Sequence, residues 1–193
     1  ENIRQDITSA TTELNFDDTS KLIGVINGLS KLIRGDEGRT WEADPRMMRR
    51  AVAFCQSIGN ESKAGTSRFI ASILPKISRK YDENLNGESL RRTVSVATRH
   101  IDGSMNAQER NEILQWLSDE PDNERECRVV TNVRCLSEGV DVPSLDAVLF
   151  LSARYSQFDV VLSVGRVMCT FPKGLADEEE YGDIIFPIVV PSE

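Results

Sequence analysis

Five short apolar runs alternating with stretches of helical periodicity constrain this chain more than any other feature. Residues 50–55, 93–97, 128–131, 147–151 and 183–190 each have the length and the β-branched or aromatic content of a strand. Continuous apolar runs, unlike alternating ones, suit strands covered on both faces. Regular alternation of strand and helix is the pattern of a parallel sheet joined by right-handed crossovers. The sequence therefore predicts an α/β fold in which a parallel β-sheet is flanked by helices.

The first helical stretch covers residues 17–34. Asp17, Asp18 and Thr19 supply capping groups, and Leu22, Ile23, Val25, Ile26, Leu29, Leu32 and Ile33 recur at helical spacing until Gly35. Residues 35–45 are polar and turn-rich, so residues 1–45 form a helical lead-in or linker segment packed on a domain that spans residues 46–193. A second helix is predicted over 61–80, with Phe69, Ile70, Ile73, Leu74 and Ile77 on one face and Pro75 bending or interrupting it. A third covers 106–118, with Ile113, Leu114 and Leu117 inward, and a fourth covers 158–168. Asp102-Gly103 is a turn, and the acidic run 177–180 is a solvated loop.

With 193 residues, of which 39% are apolar and 28% charged, the chain can build a core without disulfides or a structural metal. Its uninterrupted apolar runs, such as 147–151, are too short to span a bilayer, which excludes a membrane protein. Lys and Arg number 23 against 31 Asp and Glu, a net charge of −8. That excludes a free-standing domain held on nucleic acid by a basic face, so any nucleic-acid grip needs a further contributor. Cys55, Cys127, Cys135 and Cys169 lack C-x-x-C spacing and His100 is the sole histidine, so no metal site is predicted. The thiols read as buried, reduced and structural, in keeping with a cytoplasmic protein. Asn60-Glu61-Ser62 fits a glycosylation acceptor only by chance in that compartment. A start at Glu1 without an apolar signal segment reads as a piece of a longer chain.

Two segments that follow predicted strands can carry chemistry, since ligands in such sheets sit beyond the carboxyl ends of the strands. The first is Thr131-Asn132-Val133-Arg134-Cys135-Leu136-Ser137-Glu138-Gly139-Val140-Asp141-Val142-Pro143. Gly139 lets the backbone approach an anion, and Asp141 can accept hydrogen bonds from a sugar hydroxyl; a loop needing glycine only for its shape is the competing explanation. The second runs from Ser156, an N-cap with Asp159 three residues on, through Gly165-Arg166 to Cys169. Glycine inside a helix costs about 1 kcal/mol relative to alanine, which close packing against the sheet would explain. The planar guanidinium of Arg166 suits a phosphate.

In their order these segments resemble the C-terminal, second RecA-like lobe of superfamily 2 helicases and translocases. Residues 131–143 look like motif V and residues 156–169 like motif VI. The strand Val52 to Cys55 with Gln56 and Ser57 occupies the place of motif IV, and Ile101 to Asn106 with Arg110 resembles the strand-turn-helix between motifs IV and V. The wording SEGVDVP is most similar to restriction-enzyme-related helicases of the type III and single-polypeptide type I-like systems. The resemblance implies a lobe that meets ATP across a cleft, with Mg²⁺ held by the N-terminal RecA-like lobe of the same parent chain. It implies that Arg166 contacts the γ-phosphate as the catalytic arginine, that Gly139 approaches the phosphates, that Asp141 binds the ribose and that Glu138 orders the loop. Ser57, Thr131, Asn132 and Arg134 would lie toward a nucleic-acid backbone, DNA by the restriction-like wording, with RNA the alternative.

Two positions depart from the family pattern. Motif VI usually reads Q-x-x-G-R-x-x-R, whereas Leu162 stands at the glutamine and Cys169 at the final arginine. No G-x-x-x-x-G-K-[ST] loop occurs, and Asp119-Glu120-Pro121-Asp122 follows a helix, as a solvated loop does, and not an apolar strand. The expectation is a lobe of an ATP hydrolase that is inactive alone, and the alternative is a degenerate helicase-like scaffold or nucleic-acid-binding module. His100, alone at a strand end and without G-x-S-x-G nearby, reads as structural.

Overall fold

The computed structural model describes residues 16–31, 47–61, 64–85, 93–121, 123–133, 145–152, 165 and 183–187. Strands β1 (Arg50–Phe54), β2 (Ser95–His100), β3 (Glu126–Asn132), β4 (Ala147–Phe150) and β5 (Asp183–Ile185) form one sheet in the order β2-β3-β1-β4-β5. Every pairing is parallel. The helices are α1 (Phe16–Leu29), α2 (Ser67–Leu85) and α3 (Ala107–Ser118), and Gly165 is helical. This is the predicted class: a RecA-like parallel sheet flanked by helices.

Strand order places the helices. The connection from β1 passes β3 to reach the sheet edge, whereas the connection from β2 returns in the opposite direction, so right-handed crossovers put α2 and α3 on opposite faces. Two apolar clusters follow. On one face Phe69, Ile73, Leu74 and Ile77 of α2 and Ile23, Val25, Ile26 and Leu29 of α1 cover Ala51, Ala53, Val129, Ala147 and Leu149. On the other, Leu114 and Leu117 of α3 meet Val52, Phe54, Val130, Val148 and Phe150. Helix α1 therefore shares the core of the sheet. Gly28 permits its approach to β5, because a Cβ there would lie 2.9 Å from Ile185 Cδ1. Lys31, in left-handed backbone at φ 56° just past α1, pairs with Asp183 Oδ2 at 2.5 Å, both side chains being largely buried.

Element ends differ from expectation where polar residues find partners. The apolar run ends the second strand at Ala97, yet β2 continues to His100: Thr98 bonds to α2, Arg99 lies 4.6 Å over the Trp116 ring, and His100 meets Ser67. Helix α2 begins at Ser67 and not near Glu61, since Gly59 and Gly65 have positive φ and Thr66 caps the helix. The last strand ends at Ile185, two residues before Pro187, which has no N–H to offer a ladder. The fourth helix, apart from Gly165, and the acidic run 177–180 lie outside the described residues.

Pro75 neither stops nor splits α2, which runs unbroken through it over its full 19 residues, Ser67–Leu85. A proline returns no N–H to the carbonyl four residues earlier, so Ala71 O is orphaned within the helix. Thr98 Oγ1 of β2 donates to that carbonyl. Thr98→Val should therefore cost about 1 to 3 kcal/mol, measured by urea unfolding. In a Pro75→Ala background residue 75 restores the N–H, and the same change should cost distinctly less; equal costs in both backgrounds would refute this account.

Candidate nucleotide and nucleic-acid face

The carboxyl ends of the strands converge because β1 is paired on both edges. Cys55 N–H donates to Asn132 O at 2.8 Å, Leu151 N–H to Phe54 O at 3.0 Å, and Ile101 N–H to Thr131 O at 3.0 Å. The segments leaving β1, β2, β3 and β4 thus emerge side by side, along the edge where ligands bind in such sheets.

The loop after β1 is exposed from Gln56 to Asn60, yet its backbone is fixed to the start of α2. Ser67 N–H donates to Ser57 O at 2.8 Å and Arg68 N–H to Ile58 O at 3.2 Å. Thr66 Oγ1 donates to Asn60 O at 3.0 Å. At Gly59, φ is 57° and a Cβ would fall 2.2 Å from Thr66 Cγ2, so this turn requires glycine.

A chain of polar contacts then joins the ends of β2 and β3 to the start of α2. Thr131 Oγ1 donates to Ser67 O at 2.9 Å, and Ser67 Oγ lies 2.8 Å from His100 Nδ1. His100 Nε2 lies 2.9 Å from Asp102 Oδ2, which also receives Arg68 Nη2 at 2.9 Å. Ser104 gives its N–H, at 2.8 Å, and its hydroxyl to Asp102 Oδ1. With its proton on Nε2, His100 donates to Asp102 and accepts from Ser67 at Nδ1. Ser67 is fully buried, so this Ser-His-Asp sequence of contacts offers no accessible nucleophile. His100 is structural, as expected.

Of the predicted nucleic-acid residues, Ser57 is exposed on the loop after β1, next to the β3 end that carries Thr131 and Asn132. Thr131 and Asn132 are completely buried: Thr131 is tied to α2, and Asn132 Nδ2 donates to Ala53 O at 3.3 Å. Asn132 Oδ1 is buried without a hydrogen-bond partner among the described residues. Arg134, Glu138, Gly139, Asp141 and Arg166 lie outside the described residues. At Gly165, beside Arg166, a Cβ would meet nothing within 4 Å, so the close packing expected of this glycine is not found among the described residues. Of the expected solvated loop, Asp119 and Glu120 are exposed, with Glu120 paired to Arg50 at 2.6 Å, whereas Pro121 is buried and Asp122 lies outside the described residues. Cys55 and Cys127 are buried thiols outside any disulfide, and burial with the nearby Asp146 and Glu126 pushes the Cys127 thiol well up. Cys135 and Cys169 lie outside the described residues.

A family model described as the helicase conserved C-terminal domain matches residues 49–170. The chain belongs to that family. Among solved structures, the ATP-dependent Type ISP restriction-modification enzyme LlaBIII bound to DNA aligns with this helicase domain at a TM-score of 0.68 and 34% identity. The alignment covers 93% of this chain and 10% of that one, so the chain spans about a tenth of that enzyme's length. No curated protein matches the sequence. The likeness to restriction-enzyme-related helicase lobes is therefore borne out. Among the described residues of the helicase domain no cluster of His, Cys, Asp or Glu could hold a metal, and no helix is long and apolar enough to cross a membrane.

The contacts of Asp102 with Arg68 and Ser67 with His100 were not visible in the sequence. Asp102-Gly103 was legible only as a turn; Arg68 lies 34 residues from Asp102 and Ser67 lies 33 from His100. The Ser104 hydroxyl, then His100 and Arg68, hold the Asp102 carboxyl well below the usual carboxylate range, against the opposing effect of burial. Its stabilising contribution is thus complete above the unfolded-state value of about 3.9 and is lost as pH falls toward the native one. Asp102→Asn should cost about 1 to 3 kcal/mol near neutrality. The gap between wild type and variant should close below about pH 4; urea titrations showing a constant gap down to about pH 3 would contradict it.

Proposed function

We propose that this helicase domain is the second motor lobe of an ATP-dependent DNA helicase or translocase, one that needs its N-terminal RecA-like lobe to turn over ATP. The observation that carries the reading is the junction of β1 and β3. Phe54 pairs with Asn132, and Cys55 N–H reaches Asn132 O, so the segments resembling motifs IV and V leave the sheet side by side. Family membership and the likeness to a DNA-bound restriction-modification enzyme support it.

In this reading Ser57 and Arg134 face the nucleic-acid backbone, and Thr131 and Asn132, both buried, act from the strand end beneath it. The two buried side chains hold the strand end, while neighbouring main-chain donors and the Ser57 hydroxyl offer contacts that carry no net charge. Gly139 admits the phosphates, Asp141 takes the ribose hydroxyls, Glu138 orders the loop, and Arg166 reaches the γ-phosphate. Mg²⁺, held by the other lobe, would neutralise charge on the phosphates. Closure of the lobes assembles the site, and repeated closure and opening moves the strand.

In the full-length protein Arg166→Ala should lower DNA-stimulated ATP turnover by about 10² to 10³-fold without loss of folding. Unchanged turnover would remove Arg166 from the site. Robust hydrolysis by residues 1–193 alone would overturn the two-lobe reading. Leu162 and Cys169 favour a second reading, a scaffold that no longer hydrolyses ATP. Restoring Leu162→Gln and Cys169→Arg together should raise DNA-stimulated ATPase in a motor, whereas a scaffold would show no gain.

A further inference from the structure

We propose that Arg68 is a phosphate-backbone contact of this lobe, aimed by Asp102; the inference rests on the reading as a nucleic-acid motor lobe and adds a residue to its track. A chain of net charge −8 must place its cations locally. Among the described residues of the loops following β1, β2 and β3 and of the first turn of α2, Arg68 is the permanently charged cation.

Its setting suits the task. Nη2 is anchored 2.9 Å from Asp102 Oδ2, on a side chain 2% exposed, while the Arg68 side chain itself is 44% exposed. One corner of the guanidinium is thus fixed to the fold and the remainder faces outward. Among the described residues its Nε and Nη1 have no partner. Asp102 already receives Ser104 N–H, the Ser104 hydroxyl and His100 Nε2, so an arginine is not needed to satisfy its hydrogen bonds. A half-exposed arginine held in one orientation loses less side-chain freedom on binding than a free one, and its planar fork matches a phosphate.

The location agrees. Ser67 N–H and Arg68 N–H of α2 are consumed by Ser57 O and Ile58 O, which sets Arg68 against the motif IV-like loop and its exposed Ser57. Those two amides are therefore unavailable to an anion, and the side chain carries the contact.

The test uses the full-length protein and a labelled DNA oligonucleotide, with affinity measured across a salt series. Arg68→Ala should weaken binding several-fold and make the plot of log K against log[salt] shallower by about 0.7 to 0.9, as expected when a single phosphate is no longer neutralised. Arg68→Lys should retain most of the slope, and the thermal midpoint should be unchanged. If Arg68→Ala lowers the midpoint, Arg68→Gln, which keeps a hydrogen-bond donor beside Asp102, replaces it with the same expected slope. An unchanged slope in the charge-removed variant, while the wild type binds DNA in a salt-dependent way, overturns the Arg68 contact alone. A wild-type protein that neither binds DNA nor shows DNA-stimulated ATPase overturns the motor-lobe reading beneath it.

Discussion

Strand β1 is buried on both faces and hydrogen-bonded along both edges, and the rest of the domain is arranged around that condition. Ala51 to Phe54 are each 2% exposed or less. A strand so placed must be sealed above and below, and the two apolar clusters do this with α1 and α2 on one face and α3 on the other. Because β3 and β4 pair with β1 in fixed register, the ends of all three strands are set relative to one another. A slip of one residue would turn every inward side chain of a strand to the other face, so the apolar clusters hold the register that aligns the loops.

At the carboxyl edge apolar packing gives way to hydrogen bonding. Thr131, Ser67, His100 and Asp102 are buried or nearly so, and an unsatisfied group among them would cost about 1 to 3 kcal/mol. Each has partners drawn from a different element: Thr131 from β3 bonds α2, Ser67 from α2 meets β2, and Asp102 beyond β2 receives α2 again through Arg68. Such a chain makes the geometry of the strand ends depend on several contacts at once. It suits a face on which two separate loops must present groups to one ligand, since a loop held by a single contact would drift independently of its neighbour.

How much of this the sequence disclosed follows from where each residue finds its partner. Val52, Phe54, Val129, Val148 and Leu149 advertise buried strands because burial alone determines their placement, and the parallel α/β class follows from their spacing. The same reasoning missed the far half of β2 and the unbroken course of α2. Thr98 and Arg99 are polar beyond the apolar run and Pro75 is unfavourable within a helix, and only the fold brings Thr98 to Ala71 O and Trp116 beneath Arg99. Of the proposed site, Ser57, Thr131 and Asn132 were singled out through the order of motif-like segments. Arg68 was not, because nothing within its own helix marks it; its significance comes from a carboxylate 34 residues later.

The acidity of the chain takes on a different meaning at this face. Net charge governs how a whole molecule is steered, whereas a backbone contact depends on charge and donors within a Debye length of about 10 Å. Asp102 is the described carboxylate nearest the strand ends in the polar chain, and its charge is shared among Ser104, His100 and Arg68 within the fold. Several acids lie instead at the opposite edge or on outer helix surfaces, among them Glu120, paired to Arg49 and Arg50, and Glu112 on α3. Glu61 is exposed on the loop after β1 as well, so a backbone contact at this edge depends on individually placed donors and not on an edge free of acids. Net acidity and a local backbone contact in a helicase C-terminal domain are then compatible, because such a contact depends on the donors placed beside it.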